Sequence, residues 1–303
     1  MTDRQKLMYQ IFAAFMIASM ALSGLAYFIG YGLTSSSNSD TTNGNENPSQ
    51  QSQLQNPSIG FDAVGGNLID ADFNSISDAL KISPQGVLTA QFTNVERSRG
   101  TLLQDYIAQS MQQQNDLYNE NVGNSYGAML EGGNILQYNI IPSKSLNFGY
   151  MVNPTPYKGY NLLVRENGLQ NVIGTPVMLT NSEAVSNATL DIISGDGENA
   201  YAKFAPVLNY SSNGDIIAYI DTALPIANIF YSGFQMGTDP SADKGTRTLI
   251  YQEISVNASS KIDALANNET DAIDVTVKTY GDENITVVKL VSDLNSLFMA
   301  NIG

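Results

Sequence analysis

From Met8 to Thr34 the chain carries no charged side chain (MYQIFAAFMIASMALSGLAYFIGYGL, then Thr34), and this run constrains the architecture more than any other segment. As a helix it measures roughly 39 Å, against roughly 30 Å of bilayer hydrocarbon. The run predicts a tilted transmembrane helix over 8–34. A cleaved signal peptide competes with that reading, but such a peptide has an apolar core of roughly 7–15 residues with small residues after it. Here the run is longer, and Ala21-Leu22-Ser23-Gly24 lies inside it. A retained signal anchor fits better. Arg4 and Lys6 precede the run and the next base is Lys81, so residues 1–7 read as a cytoplasmic stub with everything beyond the span extracytoplasmic. Tyr9, Tyr27 and Tyr31 lie toward its ends, where amphipathic rings favour the headgroup zone.

Residues 35–58 (SSSNSDTTNGNENPSQQSQLQNPS) have the composition of a solvated linker. A flexible coil of about 24 residues reaches roughly 27 Å, enough to hold a domain clear of the headgroups. That leaves 59–303 to fold, as one large domain or as two lobes over 59–170 and 171–303. The hydrophobic content of 43% over the chain is that of a globular protein.

Charge and missing residue types narrow the function classes. Acidic residues number 29 against 14 basic ones, a formal charge of −15, which repels polyanions and argues against a nucleic-acid partner. The chain has no Cys, His or Trp. Thiol nucleophiles, disulfides, thiolate or imidazole metal sites, His-ligated haem and His-dependent triads are therefore excluded. No cofactor is indicated.

Within 59–303 strand-like and helix-like runs alternate. Thr101 with Gln104 forms a capping-box pattern, and Leu103, Tyr106, Ile107, Met111 and Tyr118 fall near one face of the helix it would open. Thr180 with Glu183 forms a second, leading a helix whose apolar stripe is Ala184, Val185, Ala188 and Ile192 and which Gly195 stops. Pro176, in the apolar run before it, marks an edge strand or a bulge. A helix over 200–208 leads into a strand over 216–220. Farther on come a strand over 245–256, a short helix over 259–266, an alternating strand through Ile273, Val275 and Val277, a strand over 285–290 and a closing helix over 292–302. This order predicts an α+β fold: a mixed, at least partly antiparallel sheet with surface helices, preceded by one transmembrane helix.

The succession Asn171 to Val185, Leu190 to Gly195, Ala205 to Leu208 and Asp215 to Asp221 resembles extracytoplasmic, single-pass, membrane-anchored proteins of bacteria and archaea catalogued as domains of unknown function. The resemblance covers about residues 171–221. It implies location and fold style, and carries no catalytic residue.

Several groups invite chemistry. Ser241 and Lys244 have Ser-x-x-Lys spacing, but in a string of turn formers with no helix to align them. Asp70 and Asp72 would share a strand face, although no neighbouring motif completes a site and a polar turn before an Asn74 cap accounts for them better. Residues 195–199 and 281–284 are rich in oxygen ligands but lack the spacing of a calcium loop, and so read as turns. Residues 147–160 pack Phe148, Tyr150, Tyr157 and Tyr160 between turn residues, the best candidate in the sequence for a sugar-stacking or protein-binding loop. The alternative is that these rings pin the loop to the core. Asn187, Asn209, Asn257, Asn268 and Asn284 begin glycosylation sequons.

No motif specifies catalysis. The sequence therefore points to a membrane-tethered extracytoplasmic binding or accessory protein in the cell membrane, docking on a larger membrane or envelope assembly. The alternatives are a His-independent extracytoplasmic hydrolase and a structural surface or pilus-like subunit. The last is weakened because neither Gly nor Ala follows Lys6, where a prepilin peptidase would need one.

Overall fold

Runs rich in β-branched and aromatic residues, 273–280 and 285–293 among them, become long strands of one sheet. The computed structural model of the protein describes residues 59–237, 243–267 and 273–300. In chain order the strands are β1 (Ile59–Gly60), β2 (Ile69–Asp70), β3 (Val87–Thr93), β4 (Ser125–Leu130), β5 (Ile135–Asn139), β6 (Ser145–Leu146), β7 (Met151–Val152), β8 (Leu163–Val164), β9 (Gln170–Val172), β10 (Gly174–Thr175), β11 (Val177–Thr180), β12 (Ile217–Asp221), β13 (Ile229–Met236), β14 (Lys244–Gln252), β15 (Ile273–Tyr280) and β16 (Ile285–Asp293). Twelve of them form one sheet in the order β15-β16-β14-β13-β12-β3-β4-β5-β11-β9-β8-β7. Its neighbours are antiparallel throughout. The domain is thus α+β with a large antiparallel sheet.

The helices are α1 (Ile76–Ile82), α2 (Val95–Ser98), α3 (Gln104–Ser110), α4 (Gln112–Tyr118), α5 (Glu183–Ile193), α6 (Tyr201–Leu208), α7 (Val256–Asn267) and α8 (Leu294–Met299). Because successive strand residues point to opposite faces, the sheet separates two apolar layers. One joins Phe92, Tyr138, Tyr231 and Ile250 to Leu80 of α1, Leu190 of α5 and Phe204 of α6. The other joins Phe230, Leu249, Tyr251 and Leu290 to Ile107 of α3, Ile262 of α7 and Leu297 of α8. Helices on both faces bury the central strands from both sides.

A lobe boundary between 170 and 171 would cut β9 in two. One sheet runs across it, with β11 paired to β5 and β9, and β12 to β3 and β13. Among the described residues no helix is long and apolar enough to cross a membrane. The span expected over 8–34 and the linker over 35–58 lie outside them.

Several boundaries differ from the sequence reading, each for a local reason. The run around Pro176, which lacks an N–H, splits. Gly174 and Thr175 pair in parallel with β2, and Val177 enters the large sheet. Gly174 is required there, since a Cβ would lie 2.2 Å from the Ile69 carbonyl oxygen. The N-cap of α5 is Ser182, which accepts from Val185 N, while Thr180 donates to the Ile135 carbonyl. The buried face of α5 is Val185, Ser186, Thr189 and Leu190, and Ala184 is exposed. Ser186 can face inward because its hydroxyl donates to Gln170 Oε1 at 3.1 Å. Gln104 Oε1 does reach back as a capping box requires, but to the N–H of Gly100 at 2.7 Å, and the helix beyond it breaks into α3 and α4 at Met111. Strand β16 runs on to Asp293, whose carboxylate caps α8.

Candidate functional site

The turn Ser211-Ser212-Asn213-Gly214 delivers Asp215 to the start of β12. Its side chain folds onto the sheet over Gly233, where a Cβ would lie 2.2 Å from Asp215 Oδ2. Glycine in the middle of a strand is unfavourable on its own account and here makes room for the carboxylate. Asp215 is 5% exposed. Its Oδ2 accepts a hydrogen bond from the Tyr231 hydroxyl, and its Oδ1 accepts one from Gln235 Nε2 at 2.9 Å.

Arg97 closes one side. Asn94 caps α2 by accepting from Arg97 N at 3.0 Å, and the guanidinium donates to the carbonyls of Asn213 and, at 3.4 Å, Asp215. Between α1, α2 and this turn lies a small, shallow cleft of about 10 Å³, room for about one water molecule. It is lined mainly by hydroxyl and amide groups (Ser75, Ser77, Ser211, Ser212, Asn213), with Phe92 and Ala218 as its apolar floor.

Burial raises the pKa of Asp215, opposed by the hydrogen bonds from Tyr231 and Gln235 and by the charge of Arg97. Tyr231 is pushed well above the ordinary phenol range by burial and by the neighbouring Asp215. The pair therefore holds a proton more tightly than either group would in water. Of the cleft serines, Ser211 Oγ donates to the Leu208 carbonyl, Ser212 Oγ accepts from Gly214 N, and Ser75 Oγ donates to Asp78 Oδ2 at 2.9 Å. The arrangement suits recognition of a small polar group and a proton-dependent change in charge.

The residues singled out from sequence fall elsewhere. Phe148 and Tyr150 are 9% and 2% exposed and pack edge to face. Phe148 lies beneath the guanidinium of Arg165, whose Cζ is 3.6 Å from the ring centroid. Arg165 is itself buried, donates to Asn171 Oδ1 and to the Leu117 carbonyl, both at 2.7 Å, and has its pKa lowered by burial. Tyr157 donates to Asp191, and Lys158 bridges Asp191 at 2.8 Å and Asp196 at 2.6 Å. Tyr160 belongs to the same core layer as Tyr138. The four rings pin the 147–160 loop to the domain and are not gathered on an open surface.

Asp70 and Asp72 are exposed, and the cap that follows them is Ser75, accepting from Asp78 N at 3.2 Å. In the 195–199 loop Asp196 is held by Lys158, and Glu198 accepts from Gln85. Residues 281–283 form a 3-10 turn of the β15–β16 hairpin. Among the described residues no group of three or more carboxylates is placed to hold a metal ion. Lys244 opens β14, and Ser241 lies outside the described residues. Of the sequon asparagines, Asn209, Asn257 and Asn284 are exposed, Asn187 is half-buried, and Asn268 lies outside the described residues.

Sequence reasoning missed Asp215, Arg97, Tyr231, Gln235 and Arg165. One signal was available for the first cluster: an isolated Gly233 inside an aromatic strand marks a close approach.

No protein-family model matches the chain, and no curated protein matches it. Among solved structures, crystal forms III, I and IV of the protein TP0453 align with TM-scores of 0.44, 0.41 and 0.43 at 12%, 12% and 10% identity. The alignments cover 74%, 75% and 80% of this chain and 96%, 98% and 99% of those chains.

Proposed function

We propose that the chain is a membrane-tethered extracytoplasmic binding or accessory protein, with its N-terminus in the cytoplasm and its α+β domain docking on a larger membrane or envelope assembly. The observation that carries this reading is the asymmetry of the N-terminal region. Two bases precede an uncharged run long enough to span, and a polar linker ends where β1 begins at Ile59. The resemblance over residues 171–221 points to the same compartment. On this reading the membrane is the first partner, and the Asp215 cleft is the place where the domain recognises a small polar group.

Labelling with a membrane-impermeant maleimide tests the topology, since the chain has no native cysteine. Asn257→Cys, at an exposed position on α7, is expected to react in intact cells and to stay with the membrane fraction. Thr2→Cys is expected to react after lysis alone. The reverse pattern, or release of the Asn257→Cys chain as a soluble product, contradicts the tether.

The buried carboxyl favours a second reading, a His-independent hydrolase in which Asp215 supplies a proton. A hydrolytic activity of the purified chain that Asp215→Asn abolishes would support it, and one that survives the substitution would remove it.

A further inference from the structure

The two outer strands of the large sheet differ in kind. Strand β7 is two residues long, whereas β15 spans eight and, among the described residues, pairs on one side with β16. The other side of β15 presents backbone N–H and C=O groups, a template for a further strand. Edge strands are commonly protected by a lysine, and β15 has Lys278, but it also carries Asp274 four residues earlier.

We infer that β15 pairs antiparallel with β15 of a second copy of this chain, in a register centred on Thr276. That register sets Asp274 opposite Lys278 of the other copy, twice by symmetry. It also sets Val275 opposite Val277, twice, and Thr276 opposite itself. Directly opposed residues share a face, so the ion pairs lie with Thr276 on one face and the valines meet on the other. Asp274, Thr276, Val277 and Lys278 are exposed, Val277 at 41%. Moving the register by one position loses both ion pairs, and a parallel arrangement in register sets Asp274 beside Asp274. The charge pattern thus selects one partner, one direction and one register, and the contact is isologous.

Sedimentation velocity on the full-length chain in detergent, over a concentration series, reads the association directly. The wild type is expected to pass from one copy to two. Lys278→Asp opposes like charges at both pairs and is expected to raise the dissociation constant about tenfold. Mixing Lys278→Asp with Asp274→Lys chains, or combining the two changes in one chain, is expected to restore pairing. Thr276→Cys, in a chain without native cysteine, is expected to give a disulfide-linked dimer on mild oxidation. Thr279→Cys is not, because its two copies would lie roughly 20 Å apart. A monomer at every concentration, a dimer indifferent to the charge variants, or equal crosslinking at 276 and 279 each overturns the inference.

Discussion

Arg165 and Asp215 are both ionisable groups drawn out of water, on different elements of the same domain, and they are held in different ways. Among the described residues neither forms an ion pair with an opposite charge. Arg165 lies over Phe148, with Tyr118 5.1 Å away, and donates to an amide and a backbone carbonyl. Its charge is delocalised over a planar group that aromatic faces accept, and it stays protonated at any ordinary pH. Asp215 is held by a hydroxyl and an amide beside an open cleft, and a carboxyl can escape the cost of burial by taking up a proton. The first arrangement locks structure, and the second leaves a group that responds to its surroundings.

Removing the locked charge should cost most. Arg165→Ala deletes the stacking on Phe148 and leaves Asn171 Oδ1 and the Leu117 carbonyl without that donor, so urea unfolding should show a loss of about 3 kcal/mol. Gly233→Ala places a methyl group against the Asp215 carboxylate and the Tyr231 hydroxyl. Overpacking of this kind should cost about 2 kcal/mol in the same measurement, and it should also displace Asp215 toward the cleft. The small gain that Gly→Ala gives in an ordinary strand, in place of a loss, would mean that the carboxylate moves aside freely.

Asp215→Asn separates the two arrangements by pH. The folded-state pKa of Asp215 lies above its unfolded value. Its protonated form therefore adds stability below the unfolded pKa, and that contribution is lost as pH rises through the folded pKa. Asp215→Asn should accordingly gain relative to wild type as pH rises from the acid side through that window, with the difference flat at higher pH. The smallest effect is expected at the surface bridge of Lys158, where Lys158→Met should loosen the 157–160 loop in hydrogen exchange with little change in global unfolding. The wild-type loop should behave likewise at high salt.

Much of the frame was readable because it depends on local pattern. Apolar runs placed β12, β14, β15 and β16 but not β13, and the reading placed the starts of α5 and α6 within two residues. Strand order was not readable. β12 joins strands from distant parts of the chain, β3 on one side and β13 on the other, and such pairing depends on long-range packing. The α5 face was misread because periodicity counts Ala184 as apolar and Ser186 as polar, while a single hydrogen bond to Gln170 lets Ser186 go inward. The aromatic loop shows the same limit. Phe148 and Tyr150 announce themselves in the sequence, but the cation that fixes Phe148 in place is Arg165, beyond any local window. Asp215 sits in a turn-like stretch that reads as solvated, and only Gly233, eighteen positions along, hints that a side chain must lie flat on the sheet.

The central claim about the site is that Asp215 is a buried carboxyl that takes up a proton more readily than an ordinary aspartate. It is tested most directly by a carbon-13 carboxyl titration of Asp215 in the full-length protein, assigned with Asp215→Asn. The account predicts a pKa above the ordinary aspartate range, rising further when Tyr231→Phe removes a hydrogen bond that favours the carboxylate. A pKa at or below the ordinary aspartate value in the wild type would contradict it.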